Sequence, residues 1–96
     1  MGDPKAAPDR DLLLNNHTFP GEYVIKAFGP AEEAFAADVQ KCATDVLGAD
    51  RVASHTRFSS GGRRSCVTLT LSAQTVDDVI ATYERLHTLD DLKLIL

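Results

Sequence analysis

Alternation of apolar and polar side chains marks residues 65–72 as a β-strand with one buried face. Every second side chain is apolar, which places one apolar row on one side of the strand: Val67, Leu69 and Leu71. The side chains between them form a polar row on the other side: Cys66, Thr68 and Thr70. A strand with one apolar face needs cover on that face alone. The pattern therefore predicts a sheet with helices on one side and an open second side.

Three further stretches have the pattern of strands. They cover residues 19–28, 51–59 and 92–96. The first is rich in β-forming side chains and is ended by Gly29-Pro30. The second alternates more weakly and has the polar content of a sheet edge. Two glycines in the loop at residues 59–64 predict a hairpin that joins this edge strand to the strand at residues 65–72.

Two stretches have the periodicity of amphipathic helices. The first is predicted over residues 31–47, with a proline before it, acidic residues in its first turn and Gly48 as its cap. The second is predicted over residues 76–87, after the capping-box pattern of Thr75 and Asp78. Both have an apolar stripe that can cover one face of a sheet.

The element order β-α-β-β-α-β predicts an α+β fold of the ferredoxin-like sandwich type. Two right-handed crossovers then give an antiparallel sheet of order 4-1-3-2 with both helices on one face. Residues 19–96 are predicted to form this domain. Residues 1–18 show neither period and mix prolines with charges, which predicts a flexible N-terminal tail. The alternative for residues 12–14 is a short turn packed on the edge of the domain.

Composition bounds the size and the partners of the protein. Its 96 residues suffice for one domain with one core. A formal net charge of -4 argues against nucleic-acid binding, which needs an excess of clustered lysine and arginine. No apolar run approaches the roughly 20 residues of a membrane-spanning helix, and residues 1–10 lack the plan of a secretory signal. We therefore expect a cytoplasmic protein that binds neither nucleic acid nor a membrane.

The cysteines and histidines do not have the spacing of a metal or catalytic site. Cys42 lies on the apolar stripe of the first helix and Cys66 on the polar row of a strand, so the sheet should separate the two thiols. The histidines fall on three separate predicted elements: His17, His55 and His87. We therefore expect no catalytic residues, no metal and no cofactor.

Functions that are common on this fold lack the residues that they require. RNA-recognition sheets stack bases on outward aromatic side chains, and the outward row at residues 66–70 has none. A metal-transfer domain needs a CxxC motif after the first strand, where this chain has Gly29-Pro30. Arg63 and Arg64 give the loop at residues 59–64 some character of an anion cradle. No helix follows it and the P-loop spacing is missing, so we interpret it as a hairpin loop.

Short motifs spread over all the predicted strands and the second helix resemble the YbeD-like family of small bacterial proteins. They are Phe19-Pro20, Lys26-x-x-Gly29, Ser59-Ser60-x-Gly62, Val67-Thr68-Leu69-Thr70, Tyr83-Glu84-x-Leu86 and Leu92-x-x-x-Leu96. The resemblance implies a ferredoxin-like fold akin to ACT regulatory domains, a bacterial cytoplasmic setting and a family label of lipoate-related regulation, with no established activity. The chain departs from the family in its loop, where Gly61 and Arg64 replace a common lysine and aromatic residue.

Two hypotheses for the function follow. The first is a non-enzymatic regulatory or interaction module that forms a homodimer or docks another protein through its open sheet face. By parity this face carries six residues of the two central strands: Val24, Lys26, Phe28, Cys66, Thr68 and Thr70. It also carries His55 and Arg57, with Ile95 or its neighbours from the last strand.

The alternative is a sensor of a small molecule, either an amino acid or a lipoyl-type acid. Its site is predicted at the turn after the first strand, at Gly29, Pro30 and Ala31. Glycine permits close approach of a ligand to the backbone, and the start of the first helix offers free N–H groups to a carboxylate.

Overall fold

Four antiparallel strands form one sheet in the part of the chain that the structure describes. The computed structural model describes residues 9–59 and 61–96. The strands are β1 (Gly21–Pro30), β2 (Val52–Phe58), β3 (Arg64–Ala73) and β4 (Leu94–Ile95). They lie in the order β2-β3-β1-β4, which reads 4-1-3-2 from the other edge. The predicted α+β class with an antiparallel four-stranded sheet is confirmed.

Within residues 9–59 and 61–96, three helices accompany the sheet, one more than the sequence pattern predicted. They are α1 (Arg10–Asn16), α2 (Glu33–Leu47) and α3 (Val76–Leu86), and a 3-10 turn (Ala49–Arg51) precedes β2. The helices α2 and α3 pack against each other and against β3. The helix α1 contacts α3.

The helix α1 corrects the prediction of a flexible tail over residues 1–18. The carboxylate of Asp9 accepts a hydrogen bond from the N–H of Asp11 at the start of this helix. Arg10 forms an ion pair with Asp77 of α3, and Leu13 is only 2% exposed. Burial of this leucine stabilises a helix that is too short to be stable alone. Residues 1–8 of the predicted tail lie outside the described residues.

The core lies between the sheet and the helices α2 and α3. Its side chains come from the inward rows of β1 and β3 and from the facing sides of the helices: Ile25, Ala27, Val67, Leu69, Leu71, Phe35, Val39, Val79 and Leu86. Within this core, the hydroxyl groups of Tyr23 and Tyr83 lie 3.1 Å apart and form a buried hydrogen bond. Burial and this hydrogen bond raise the pKa of Tyr83.

The helix α2 begins two residues later than predicted because β1 ends two residues later than predicted. Pro30 is the last residue of β1 and lies opposite Arg64 of β3. The N–H of Ala31 then donates to the carbonyl of Arg63 at 3.4 Å. Pairing with β3 therefore keeps the chain extended through Pro30, and α2 starts only at Glu33.

The capping box predicted for α3 is present only in a modified form. Thr75 is the N-cap residue, but its side chain makes no capping hydrogen bond. The carboxylate of Asp78 instead accepts a hydrogen bond from the N–H of Gln74 at 2.9 Å. The acidic side chain therefore still satisfies a backbone donor near the start of the helix.

The two cysteines lie on opposite sides of the sheet layer, as predicted. Cys42 is buried under α3, and its thiol donates to the carbonyl of Arg85 at 3.6 Å. Burial raises the pKa of the Cys42 thiol. Cys66 is half-buried on the outward row of β3.

We expect Cys66 to react with a thiol reagent more than about tenfold faster than Cys42 in the folded chain. The reason is that the reagent reaches the buried Cys42 only after local opening of the fold. Mass spectrometry of the labelled protein after timed quenching measures both rates. A Cys66→Ala variant, which leaves Cys42 alone, provides the control. An intramolecular disulfide after mild oxidation would contradict this arrangement.

Candidate functional site

The second side of the sheet carries all six residues that the parity argument predicted for it. The register of β1 and β3 places them as three directly opposed pairs: Val24 with Thr70, Lys26 with Thr68, and Phe28 with Cys66. Their neighbours along each strand, such as Ile25 and Val67, are fully buried under the helices. The six side chains therefore form one continuous outward surface, called the open face below.

The outer strands extend the open face on both sides. From β2 the register adds Ala53, His55 and Arg57. From β4 it adds Leu94, which lies opposite Phe28. Main-chain hydrogen bonds of 2.8 and 2.9 Å in both directions place Leu96 opposite Lys26. Ile95 itself lies opposite Ala27 and is 6% exposed, so it belongs to the core and its neighbours to the open face.

Apolar side chains remain in contact with water on this surface. Val24 is 49% exposed and Leu96 is 62% exposed. At the edge of the sheet, Phe58, the last residue of β2, is also 56% exposed, although its register opposite the buried Ser65 assigns it to the row on the helix side. Exposed apolar side chains on one side of an uncovered sheet are typical of interaction surfaces.

A groove lies at the end of the open face where β1 ends and β3 begins. Its volume is about 230 Å³, and the residues that line it include Phe28, Phe58 and Cys66. Arg57 and Arg64 also line it. The hydroxyl group of Ser65 donates to the carbonyl of Pro30 at 2.9 Å, so this polar atom is already satisfied. The groove therefore offers apolar walls with cationic groups at its border.

Positive charge on the open face has no ionic partner within the described residues. Its cations are Lys26, Arg57 and Arg64. The ion pairs that the described chain contains involve other cations: Arg10 with Asp77, and both Lys41 and Arg85 with Asp45. The single acidic side chain on the described part of the face is Glu22, at the end far from the groove. The face is thus positive in a chain whose formal net charge is -4.

A second concavity of similar size lies at the other end of the sheet. It has a volume of about 220 Å³ and is lined by residues that include Glu22, Asp50 and Arg51. Charges of both signs border it. The charged residues that line the groove at Phe28 are, in contrast, all positive.

Packed side chains and backbone hydrogen bonds occupy the turn at which the small-molecule site was predicted. Gly29 and Pro30 lie in β1, and the ring of Phe35 lies so close to Gly29 that a Cβ atom there would collide with it. The N–H of Glu32 donates to the carbonyl of Pro30 at 2.9 Å, and the N–H of Ala31 also has a backbone acceptor. The glycine is thus explained by packing, and these two N–H groups are not free for a carboxylate.

Neither a metal cluster nor a long apolar helix is present in the part of the chain that the structure describes. In residues 9–59 and 61–96, no group of three or more His, Cys, Asp or Glu side chains is arranged to hold a metal ion. The longest helix, α2, has 15 residues, and no described helix has the length and apolar character that a membrane crossing requires.

The groove itself was not predicted from the sequence, although several of its residues were predicted to lie on the open face. Phe28, Arg57 and Cys66 were assigned to the open face by parity. Phe58 was not, because its position in the alternation predicts the covered side. The register and the exposure of Phe58 at the strand end bring these side chains together, and no local signal in the sequence predicts that.

Comparison with known proteins identifies the family of this chain. No curated protein matches it. A sequence model for a family described as "Protein of unknown function (DUF493)" matches residues 15–96, which include every strand and the helices α2 and α3. This match agrees with the YbeD-like resemblance of the sequence motifs. The chain therefore belongs to the DUF493 family of small bacterial proteins of unknown function.

Proposed function

We propose that this chain is a non-enzymatic interaction module that docks a protein partner on the open face of its sheet. The observation that carries the proposal is an uncovered sheet face that displays Val24, Phe28 and Leu96 beside cations that have no ion-pair partner within the described residues. Open faces of antiparallel sheets are ordinarily polar. Burial of these apolar side chains by a partner favours association, and charged side chains at the border select the partner.

The order of the elements from β1 to β4 supports a regulatory role for this interaction module. From β1 to β4, and leaving aside the 3-10 turn, the elements run β-α-β-β-α-β, which supports the proposal of a ferredoxin-like fold. The resemblance to the YbeD-like family implies a relation to ACT regulatory domains, and these domains have the same kind of fold. We infer that the chain acts by binding in the bacterial cytoplasm, and that its partner is another protein or a second copy of itself.

Photo-crosslinking from the centre of the open face tests this proposal. A photoreactive phenylalanine analogue at Thr68, between the cross-strand neighbours Lys26 and His55, should give a discrete crosslinked product in living cells. The same analogue at Gln40, an exposed position of α2, provides the matched control and should give none. Mass spectrometry then identifies the product. Equal crosslinking from both positions, or none from Thr68, would contradict docking on this face.

A charge introduced on the face provides the second measurement. Phe28→Glu should abolish crosslinking from Thr68 and leave the circular dichroism spectrum unchanged, because the helices cover the opposite side of the sheet. Size-exclusion chromatography with light scattering shows whether the partner is a second copy. A dimer that the Phe28→Glu variant still forms would remove the open face from the interface.

A further inference from the structure

We propose that the groove at the Phe28 end of the open face binds an acidic segment of the partner protein and holds one apolar side chain of that segment. This inference rests on the proposed function and adds the chemistry of the partner. It commits the open face to another protein, and not to a second copy or to a nucleic acid.

The size of the groove favours a side chain over a small-molecule ligand. Its volume is about 230 Å³, below the roughly 300 to 1,000 Å³ of most small-molecule sites. Phe58 is 56% exposed in the free chain, and Phe28 and Cys66 are half-buried. An apolar side chain packed between them removes apolar surface from water on both molecules. The groove is thus suited to one anchor residue of a longer segment.

The charges around the groove select the rest of the segment. Arg57 and Arg64 line it, and Lys26 lies two residues from Phe28 on the same row. None of the three has an ion-pair partner within the described residues. Guanidinium groups bind carboxylates with two parallel hydrogen bonds, and such bonds strengthen beside an apolar wall that excludes water. Aspartate or glutamate residues next to the anchor would satisfy these cations.

A second copy that pairs face to face is a poorer occupant of this face. Pairing two open faces would bring Lys26, Arg57 and Arg64 of both copies into one interface, which like charges oppose. Apart from Glu22, the acidic side chains of the described residues lie on helices, turns and loops: Asp9, Asp11, Glu32, Glu33, Asp38, Asp45, Asp50, Asp77, Asp78, Glu84, Asp90 and Asp91. A complementary acidic surface is therefore not available from the open face itself.

A nucleic acid is disfavoured by the rest of the molecule. The formal net charge is -4, and Glu22 and Asp50 border the concavity at the other end of the sheet. A backbone that crosses the whole face would meet these carboxylates, whereas a short peptide in the groove would not. The charge pattern thus favours a local acidic contact over a continuous phosphate track.

Selection from a random peptide display library on the immobilised full chain tests the inference while the partner is still unidentified. We expect the enriched peptides to combine an excess of Asp and Glu with one large apolar residue, and to lose binding to the Phe28→Glu variant. Enrichment of neutral or basic peptides, or no enrichment over the Phe28→Glu variant, would overturn the inference. Tighter binding of a random single-stranded oligonucleotide than of the enriched peptides would overturn it as well.

Adjacent arginines of the hairpin provide a matched pair of variants. Arg64 lines the groove, and Arg63 does not. Fluorescence anisotropy with the best enriched peptide should show binding about threefold to tenfold weaker for Arg57→Gln and for Arg64→Gln. Arg63→Gln should bind as the wild type does, and binding to the wild type should weaken as the ionic strength rises. Equal losses for Arg63→Gln and Arg64→Gln would overturn the assignment of the charge to the groove.

Failure of this inference is distinguishable from failure of the proposed function. A chain with both Arg57→Gln and Arg64→Gln should lose most crosslinking from Thr68. Crosslinking that persists in this double variant would overturn the acidic segment while leaving docking on the open face intact. The absence of crosslinking from Thr68 in the wild type would overturn both.

Discussion

Leu69→Ala will lower the free energy of unfolding by about 2 to 5 kcal/mol. Leu69 is 0% exposed and lies at the middle of the central strand β3, between Ile25 of β1 and Ser54 of β2. Truncation removes buried methyl groups and leaves a cavity that a sheet held on both sides cannot close. Urea denaturation followed by circular dichroism measures the loss.

Thr68→Ala is the matched control for this change. Thr68 precedes Leu69 in the same strand, but it lies on the open face and is half-buried. Its truncation should cost less than about 1 kcal/mol, since it creates no enclosed cavity. Comparable destabilisation by the two substitutions would mean that the faces of the strand are assigned the wrong way round.

Gly29→Ala should destabilise the fold by about 1 to 3 kcal/mol, because a Cβ atom at this position would overlap the ring of Phe35. The positive-φ glycines of the described chain are Gly48 and Gly62, so backbone conformation does not contribute to the cost at Gly29. The same urea denaturation measures it. The expected loss is a direct test of whether packing explains this glycine.

Gly61→Ala provides the control with the same chemical change. No atom lies within 4 Å of a Cβ built at Gly61, so this substitution should be close to neutral. In a background of Phe35→Leu, which shortens the side chain over β1, Gly29→Ala should cost less than in the wild type. A neutral Gly29→Ala in the wild-type background would reopen the space beside this residue to a ligand.

Stability and partner binding should respond to different substitutions in this protein. The inward rows of β1 and β3 contribute to the core, whereas the outward rows contact solvent. A period of two assigns alternate side chains of one strand to these two roles. Changes at Phe28, Arg57 and Arg64 should therefore alter docking with little effect on the fold, and changes at Leu69 should do the reverse.

Local patterns were sufficient to predict most of the framework. The alternation of Val67, Leu69 and Leu71 predicted which face of β3 is buried, because the side-chain period of a strand does not depend on its neighbours. The same parity placed Val24, Lys26 and Phe28 on the open face. The apolar stripes of α2 and α3 and the glycines of the hairpin loop were visible for the same reason.

Contacts between distant parts of the chain decided the rest. A single buried side chain, Leu13, holds α1 in place, and one buried residue in seven leaves no period to detect. Pairing with Arg64 keeps Pro30 in β1 and delays the start of α2. The register of the short strand β4 places Leu94 outward and Ile95 inward.

The sequence by itself determined the faces of the strands and helices, since these follow from the spacing of apolar residues along one segment. The tertiary structure alone decided the groove, because its aromatic walls and its two arginines come from three strands whose register sets their distances. Register is a property of pairs of strands, and the free energy that selects it comes from packing over the whole sheet. The pairing of the strands therefore decided which apolar and charged side chains of the open face meet at the groove.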